Sequence, residues 1–318
     1  MKGRLAVGIF CLVGVCIGCR SQIAQQPKPQ DAQISNNNNS LQIYAAKNDG
    51  ESKIYVQSPG AGSAHRLTNR RSGWETFPAL SRSGTVVAYA LSDGEEAKSE
   101  VWVSRIDGSH AHRVSAPEED AFMPAFGADD RTLLYAKSRF TGHYSPIARP
   151  RRHEFDIVKI IVDPDDSAPV AAPTELTQQH FFDLRSLSVS PDGERFLIST
   201  SGYPIGSLIE EFDIVKPLQI KGIFQPHVPS EPSLGASFGQ AAYVGDGMQI
   251  VFTAATEGKD GNYDYSVYQM SDVTGGDLIT LVQHSGMIDD LNVKNDGSIF
   301  ISAGGKRYLV DKQAHVLR

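Results

Sequence analysis

Acidic side chains beside glycine recur along the sequence and are the first candidates for chemistry. Residues 188 to 200 read S-V-S-P-D-G-E-R-F-L-I-S-T, which places Asp192 between Pro191 and Gly193. A carboxylate there could serve as a general acid, a base or a metal ligand. Proline, aspartate and glycine in this order are also what a tight turn requires. Because Ser83 and Gly84 fill the same slot in another segment, we interpret Asp192 as a turn residue.

Two other motifs resemble known sites and fail at diagnostic positions. Residues 235 to 239, G-A-S-F-G, match the hydrolase pattern G-x-S-x-G, but a nucleophile elbow needs a strand before the serine and a helix after it. Here a proline-rich segment precedes the serine and a predicted strand follows it. Asp260, Asn262 and Asp264 alternate as in a calcium loop, yet the sequence lacks the glycine and glutamate that such a loop needs.

Histidines are candidate metal ligands, and His110 and His112 would share one face of a strand. However, the triplets that begin at His65, His112 and His315 occupy corresponding places at the ends of three repeat units. This spacing distributes the imidazoles around a repeat protein instead of bringing them to one ion. We interpret them as structural or surface residues and expect neither a metal nor a cofactor.

A basic and aromatic cluster stands out from this acidic sequence between residues 138 and 154. Long insertions on a rigid scaffold are common recognition sites, and arginine binds carboxylates or phosphates through charge-assisted hydrogen bonds. The alternative is that these arginines are solvated or pair with local acids such as Glu154 and Asp156. The candidate partner-binding residues are Arg139, His143, Tyr144, Arg149, Arg151, Arg152 and His153.

The first nineteen residues have the layout of a secretory signal peptide. Lys2 and Arg4 precede the apolar run Leu5 to Ile17, which is shorter than the roughly 20 residues that cross a bilayer. All three cysteines lie in this segment, and its Ile-Gly-Cys ending resembles the bacterial lipoprotein cleavage box. We therefore expect lipidation at Cys19. Cys16 stands where that box usually has an aliphatic residue, which leaves cleavage by ordinary signal peptidase open.

The mature chain is acidic and begins with a polar linker. Loss of Lys2 and Arg4 takes the formal charge from −7 to −9, so no nucleic-acid partner is expected. Residues 20 to 40 are rich in Gln and Asn and predict a disordered linker. Arg20 follows Cys19 where an aspartate would resemble an inner-membrane retention signal. We expect an exported, periplasm-facing protein, anchored in the outer membrane.

From residue 41 onward, short β-like runs alternate with turn residues, and one hairpin pattern recurs. The intervals between equivalent turn residues are 46, 63, 54 and 50, near the ~40 to 50 residues of a propeller blade. Residues 41 to 69 add a unit without an obvious first strand. We predict an all-β, six-bladed β-propeller of four-stranded antiparallel blades. The turn positions counted are Gly84, Asp130, Gly193, Gly247 and Gly297.

The repeats also resemble a known family. R-L-T-N at Arg66, S-P-D-G-E-R-F-L-I-S-T at Ser190 and the aromatic-Asp-hydrophobic strands are similar to the WD-like repeats of TolB-type β-propellers. The resemblance covers most of residues 41 to 318. It implies a propeller without the N-terminal α/β domain of TolB proteins, because only the polar linker stands at that position.

These observations favour a binding function over an enzymatic one. A propeller holds loops in fixed geometry, and a preorganised surface loses less entropy when it binds. We expect a lipid-anchored scaffold for an envelope protein or a cell-wall glycan. The alternatives are a propeller lyase or hydrolase acting on polysaccharide or lactone, and a small-molecule sensor. The oligomeric state is left open.

Overall fold

The computed structural model describes residues 41 to 310, apart from short gaps. The predicted signal peptide, the linker and Cys19 lie outside the described residues, as do Tyr144 and Arg149 of the candidate cluster. The gaps are 49, 59, 61–62, 70–71, 144–149, 166–170, 203–205, 218–219, 225–236, 258–261, 274–277, 285, 295 and 305.

The described residues form twenty-two β-strands, which fall into six successive units. Units one to three contain β1 (Gln42–Asn48), β2 (Glu51–Gln57) and β3 (His65–Arg66); β4 (Trp74–Leu80), β5 (Val86–Ser92), β6 (Ser99–Arg105) and β7 (His112–Arg113); and β8 (Asp120–Phe126), β9 (Thr132–His143), β10 (Pro150–Ile161) and β11 (Thr174–Glu175). Units four to six contain β12 (Asp183–Val189), β13 (Arg195–Gly202), β14 (Gly206–Asp213) and β15 (Ile220–Phe224); β16 (Ser237–Val244), β17 (Gln249–Glu257), β18 (Tyr263–Met270) and β19 (Ile279–His284); and β20 (Ile288–Val293), β21 (Ile299–Ala303) and β22 (Lys306–Val310).

Within each unit, consecutive strands pair antiparallel. Units two to five have four strands, whereas units one and six have three among the described residues. One parallel residue pair, Ser52 with Trp74, joins units one and two into a single hydrogen-bonded sheet. Strand β3 pairs with β2 as β7 pairs with β6, so unit one has the later strands of a unit, as the sequence predicted.

The hydrophobic core lies between neighbouring units. Strand β5 is buried along its whole length, which indicates that the sheet is covered on both faces. Five clusters of buried apolar side chains each join residues of two or more consecutive units. The burial of each sheet therefore depends on the sheets beside it. Representative residues of the five clusters are Tyr89, Tyr135, Phe196, Phe252 and Ile299.

The first strand of each of units two to six carries a β-bulge in the same part of the strand. In β4 and β8 the bulge includes Phe77 and Met123, whose φ angles are 50° and 49°. Positive φ is uncommon for residues with a side chain, so its repetition at equivalent sites identifies a built-in feature. The bulge bends each first strand and re-aims the side chains within it.

The turns that follow these bulged strands contact one another, and we call their described residues the turn collar (residues 81–85, 127–131, 190–194, 244–248, 294 and 296–298). The Ser83 backbone N–H donates to Asp130 in the next unit at 3.1 Å. Gly193 has φ of 74°, and a side chain there would meet Ala128 at 3.2 Å. A side chain at Gly247 would meet Pro191 at 2.6 Å. Both glycines are needed for the conformation and for the close approach.

The last unit contacts the first. Arg307 in β22 donates from Nη1 to Oε1 of Gln42 in β1 at 2.9 Å, and its guanidinium lies 4.7 Å from the centre of the Phe300 ring. Burial is the main cause that lowers the pKa of Arg307 from its ordinary value. This contact connects residues at opposite ends of the described chain and brings the two three-stranded units together.

Buried carboxylates also join consecutive units. Glu75 at the start of unit two is fully buried. It accepts hydrogen bonds from the backbone of Ile54 at 3.1 Å and from the hydroxyl of Thr68 in unit one, and Nζ of Lys53 lies 3.9 Å away. Asp120 at the start of unit three accepts in the same way from the backbone of Ser99 in unit two, at 2.9 Å. These acids therefore satisfy donors of the preceding unit.

We predict that Glu75→Ala lowers the free energy of unfolding by about 3 kcal/mol, because it leaves the Ile54 N–H and the Thr68 hydroxyl without their acceptor and removes a carboxylate beside the buried Lys53. Chemical denaturation followed by circular dichroism measures the change. The matched control is Glu95→Ala, since Glu95 forms an exposed ion pair with Lys47 that should contribute less than about 1 kcal/mol. Equal effects of the two substitutions would contradict the assigned role of Glu75.

A second prediction concerns Glu210, which is buried and accepts a hydrogen bond from Thr200 at 2.9 Å. Burial raises its pKa above the ordinary value of 4.5, and the bond from Thr200 opposes this only in part. A raised carboxyl pKa means that the folded chain binds the proton more tightly than the unfolded chain. The resulting stabilisation is present at low pH and is lost as pH rises through the folded pKa.

We therefore expect Glu210→Gln, which is neutral at every pH, to gain thermal stability relative to the wild type as pH rises from about 4.5 to about 7.5. Differential scanning calorimetry at several pH values checks this. The Tm difference between the two proteins should grow with pH. A difference that stays constant would show that burial does not disfavour the ionised carboxylate.

Candidate functional site

A two-stranded ribbon projects from unit three beyond its neighbouring strands. Strand β8 begins opposite Ser138, and β11 begins opposite Lys159 and ends opposite Val158. Residues 139–143 of β9 and 150–153 of β10 continue past these limits, and residues 140–143 pair with residues 150–153. We call these two segments the ribbon. It consists of the parts of two twelve-residue strands that the other strands of the sheet do not cover.

The ribbon carries five of the seven predicted partner-binding residues, so the structure brings them together. His143 and Arg151 are exposed, whereas Arg152 and His153 are half-buried. Arg139 begins the ribbon, and its side chain is 37% exposed. Tyr144 and Arg149 belong to the connection outside the described residues. The partner-binding role of the whole set stays a prediction.

Arg152 lies on the side of the ribbon that faces unit two. Its Nε donates to Asp120 at 2.9 Å, and its Nη2 donates to the carbonyl of Ala97 and the hydroxyl of Ser99 at 2.7 and 2.9 Å. The guanidinium also lies 5.0 Å from the centre of the Phe122 ring. Arg152 therefore attaches the ribbon to the neighbouring unit.

Arg139 forms a second ion-pair network at the base of the ribbon. Its Nε donates to Asp156 at 2.9 Å and its Nη2 donates to Glu175 at 2.7 Å. The hydrogen bond to Asp156 is the main cause that raises the pKa of Arg139, so its charge is held in place. Asp156 is fully buried and also lies 2.8 Å from Nδ1 of His180. For Arg139, the structure therefore agrees with the alternative stated from the sequence, in which the arginines pair with local acids such as Asp156.

An aromatic strip lies on the other face of the ribbon and is formed by Phe140, His153 and Phe182. The Phe140 and His153 rings are 6.4 Å apart and stacked, and the His153 and Phe182 rings are 4.9 Å apart. Phe140 is 53% exposed and Phe182 is 46% exposed. Two large aromatic side chains thus remain accessible on this face of the ribbon.

Strand alternation places Arg151 on the same face as the aromatic strip. Phe140 pairs with His153, and Gly142 pairs with Arg151. Arg151 is two positions from His153 in β10, so the two side chains lie on the same face of the ribbon. A side chain at Gly142 would overlap the Phe140 ring, which indicates that this ring lies across the ribbon backbone. The face therefore combines apolar aromatic surface with an exposed cation.

Phe182 was missed by sequence reasoning. The sequence offers one signal: two phenylalanines, Phe181 and Phe182, are adjacent just after the closing strand β11. Only one of them is needed in the core, so the other could be exposed. In the structure Phe181 is 9% exposed and packs on Phe212, whereas Phe182 turns outward. Nothing in the sequence indicates that Phe182 lies beside His153.

The structure assigns structural roles to the other motifs. Asp192 accepts hydrogen bonds from the hydroxyl of Ser190 and the backbone of Glu194, at 2.5 and 2.9 Å. Partial burial alone would raise the pKa of Asp192, but these hydrogen bonds outweigh it and the net shift is downward. The interpretation of Asp192 as a turn residue is confirmed. Ser237, the serine of the hydrolase-like motif, begins β16 and accepts from Arg185 at 3.0 Å.

His65, His112 and Asp264 lie in strands of three different units. His112 in β7 and His65 in β3 occupy equivalent closing strands of two units, as predicted. Asp264 lies within strand β18, and Asp260 falls in a gap. Across residues 41 to 310, gaps excepted, the structure contains no group of three or more His, Cys, Asp or Glu side chains arranged to hold a metal ion. In that same part of the chain, no helix could cross a membrane.

Successive antiparallel sheets that bury their faces against one another, with the last unit returning to the first, define a β-propeller. No family model and no curated protein matches the sequence. Among solved structures, TolB from Acinetobacter baumannii has a TM-score of 0.56 at 13% identity, covering 87% of this chain and 65% of that one. The chain thus spans slightly less than two thirds of that TolB.

Two other solved structures illustrate how widely the architecture is used. A nidogen/laminin complex gives a TM-score of 0.58 at 10% identity, covering 83% of this chain and 84% of that one. An oligogalacturonate lyase in complex with manganese gives 0.53 at 14% identity, covering 85% and 73%. At these identities the likeness shows the fold alone. The all-β class and the TolB-like propeller fold predicted from sequence are confirmed.

We predict that the ribbon arginines differ in their effect on stability. Arg152→Ala leaves the buried Asp120 without its cation and should lower the free energy of unfolding by about 2 to 4 kcal/mol. Arg151→Ala is the matched control on the adjacent residue and should change it by less than about 0.5 kcal/mol. Urea denaturation of both variants measures the difference. Equal stability would mean that the ion pair with Asp120 does not attach the ribbon.

Proposed function

We propose that this protein is an exported, lipid-anchored β-propeller that binds a partner protein at the bacterial cell envelope through the exposed face of the ribbon. The partner is a protein segment that presents a carboxylate beside an apolar side chain. The observation that carries the proposal is the aromatic strip, together with Arg151 on the same face.

The composition of this face matches that of protein-binding surfaces. Aromatic residues and arginine contribute most of the binding energy at interfaces, particularly where they are already held in position. Phe140 and Phe182 are both about half exposed, although both rings pack against His153. Docking of a partner would bury them without first requiring them to become ordered.

Rigidity of the ribbon further supports a binding role. Arg152 attaches its inner side to Ala97 and Ser99 of unit two, and Arg139 attaches its base to Asp156 and Glu175. The face that carries the aromatic strip is thus fixed relative to the propeller before any partner arrives. Less conformational entropy is lost on binding than with a flexible loop.

The charge of the ribbon face argues for an acidic partner segment. The protein has a formal charge of −7, so its general surface repels acidic chains. Arg151 is exposed beside the aromatic strip and can form two parallel hydrogen bonds with a carboxylate. A segment with one carboxylate and one apolar side chain would satisfy both parts of the face.

The membrane attachment rests on the sequence. The basic start, the apolar run and the Ile-Gly-Cys ending favour export and lipidation of Cys19. The polar segment of residues 20 to 40 would act as a flexible tether with a mean reach of about 25 Å. A tether of this length allows the propeller to meet partners near the membrane surface, and Arg20 after the cysteine favours the outer membrane.

The experiment is quantitative cross-linking in the native membrane, comparing wild type with Phe140→Ala/Phe182→Ala and with Arg151→Ala. Each change should reduce recovery of the specific cross-linked protein, by at least about tenfold for the double variant. Met248→Ala is the matched control, because Met248 is a 65% exposed apolar residue away from the ribbon.

Two further arms separate the parts of the proposal. Cys19→Ser should release the protein from the membrane fraction while binding by the ribbon is retained in solution. Undiminished cross-linking by the Phe140→Ala/Phe182→Ala protein would overturn the ribbon as the docking surface. Binding of cell-wall glycan fragments with no protein cross-link would replace the protein partner with a polysaccharide.

A further inference from the structure

Asp156 is a fully buried carboxylate in β10, three positions beyond His153 of the aromatic strip. Its Oδ2 accepts a hydrogen bond at 2.9 Å from Nε of Arg139, at the base of the ribbon. Its Oδ1 accepts hydrogen bonds from the segment between β11 and β12, which we call the Phe182 loop (residues 176–182). One buried group therefore contacts two separate parts of the chain, the ribbon and the Phe182 loop.

Several groups of the Phe182 loop converge on this carboxylate. Its Oδ1 accepts from the hydroxyl of Thr177 at 3.0 Å, and from the backbone N–H groups of Gln179 and His180 at 2.9 and 3.3 Å. Nδ1 of His180 lies 2.8 Å from Oδ2. The φ angle of His180 is 53°, which is uncommon for a residue with a side chain. The contacts with Asp156 therefore hold the loop in a conformation that its residues rarely adopt.

The Phe182 loop carries half of the aromatic strip to the ribbon. Phe181 is buried and exchanges backbone hydrogen bonds with Phe155 of β10, at 3.0 and 2.8 Å. The carbonyl of the next residue, Phe182, lies 3.3 Å from Nδ1 of His153, and the rings of these two residues are 4.9 Å apart. The position of the Phe182 ring therefore depends on the path of the loop.

The equivalent position in unit two carries Glu100, which has a different role. In both units the next residue of the strand donates its backbone N–H to a hydroxyl after the closing strand, Ile157 to Thr177 at 2.9 Å and Val101 to Ser115 at 3.0 Å. The side chain of Glu100, however, is 34% exposed and pairs with Arg113 at 2.8 Å. The repeat itself therefore does not require a buried carboxylate at this position, which makes Asp156 a feature of unit three.

We propose that Asp156 is the positioning residue of the aromatic strip. It connects Arg139, which precedes Phe140 in the ribbon, with the loop that carries Phe182. Both exposed rings are thereby held against His153 before a partner binds. An ionised carboxylate accepts hydrogen bonds with both oxygens, whereas an amide accepts with one, so asparagine cannot replace this group. The inference rests on the proposed docking role of the ribbon.

The first test is NMR spectroscopy of the histidine rings in the full chain, purified in detergent. The carbon-bound protons of His153 carry a ring-current shift from Phe182, and Phe182→Ala gives the signal position without it. We expect Asp156→Asn to move the His153 signal to that reference position. Unchanged signals of His65 and His112, in the closing strands of units one and two, show that the variant is folded.

Matched variants separate positioning from general stability. Glu100→Gln neutralises the equivalent carboxylate of unit two and should leave the His153 signal in place. Thr177→Val is the second variant in case Asp156→Asn does not fold, and it should shift the His153 signal in the same direction. Thr177→Ser keeps the hydroxyl and should retain the wild-type signal, as should Ser115→Ala, which removes the equivalent hydroxyl of unit two.

The second test repeats the membrane cross-linking with Asp156→Asn and Thr177→Val. Each should reduce recovery of the specific cross-linked protein by about three- to tenfold, because the cost of ordering Phe182 then falls on the binding step. A His153 signal that stays in place in both variants, with cross-linking still lost in Phe140→Ala/Phe182→Ala, would overturn the role of Asp156 and leave the ribbon as the docking surface. A His153 signal that moves while every variant cross-links fully would overturn the docking role, and with it this inference.

Discussion

Each sheet of this protein is stable only because another sheet covers it. The buried apolar side chains form clusters between successive units, and a second strand such as β5 is covered along its whole length. A four-stranded sheet alone would leave its faces and edges open to water and to other chains. The hydrogen bonds of Glu75 and Asp120, the turn collar and the contact between Arg307 and Gln42 all follow from this requirement, because they fix one unit against the next.

The repeated features were predictable from sequence, whereas the contacts between repeats were not. The hairpins with Asp192 or Gly84 at the turn were recognisable from their turn residues and from an alternating apolar pattern. They predict the all-β class and the propeller fold, and the six units of the structure are consistent with the predicted number of blades. The bulges at Phe77 and Met123 carry no comparable signal, since neither residue type favours positive φ.

The ribbon shows the same division between local and distant causes. The cluster of residues 139 to 153 was recognisable by composition, and the structure places its described members on one element. Composition could not separate Arg152, whose partner Asp120 is 32 residues away, from the neighbouring exposed Arg151. Nor could it place Phe182, 29 residues further along the chain, beside His153. Such assignments depend on which strands become neighbours. A single sequence indicates the neighbouring strands only where its repeats reveal them.

The hydrogen bond from Arg307 to Gln42 also affects how the chain reaches its folded state. It joins residues separated by 265 positions, so it can form only after nearly all of the protein is available. Long-range contacts of this kind slow folding, because the entropy of closing the loop must be lost before the contact is gained. During synthesis from the N-terminus, unit one would therefore keep an open side until unit six has been made.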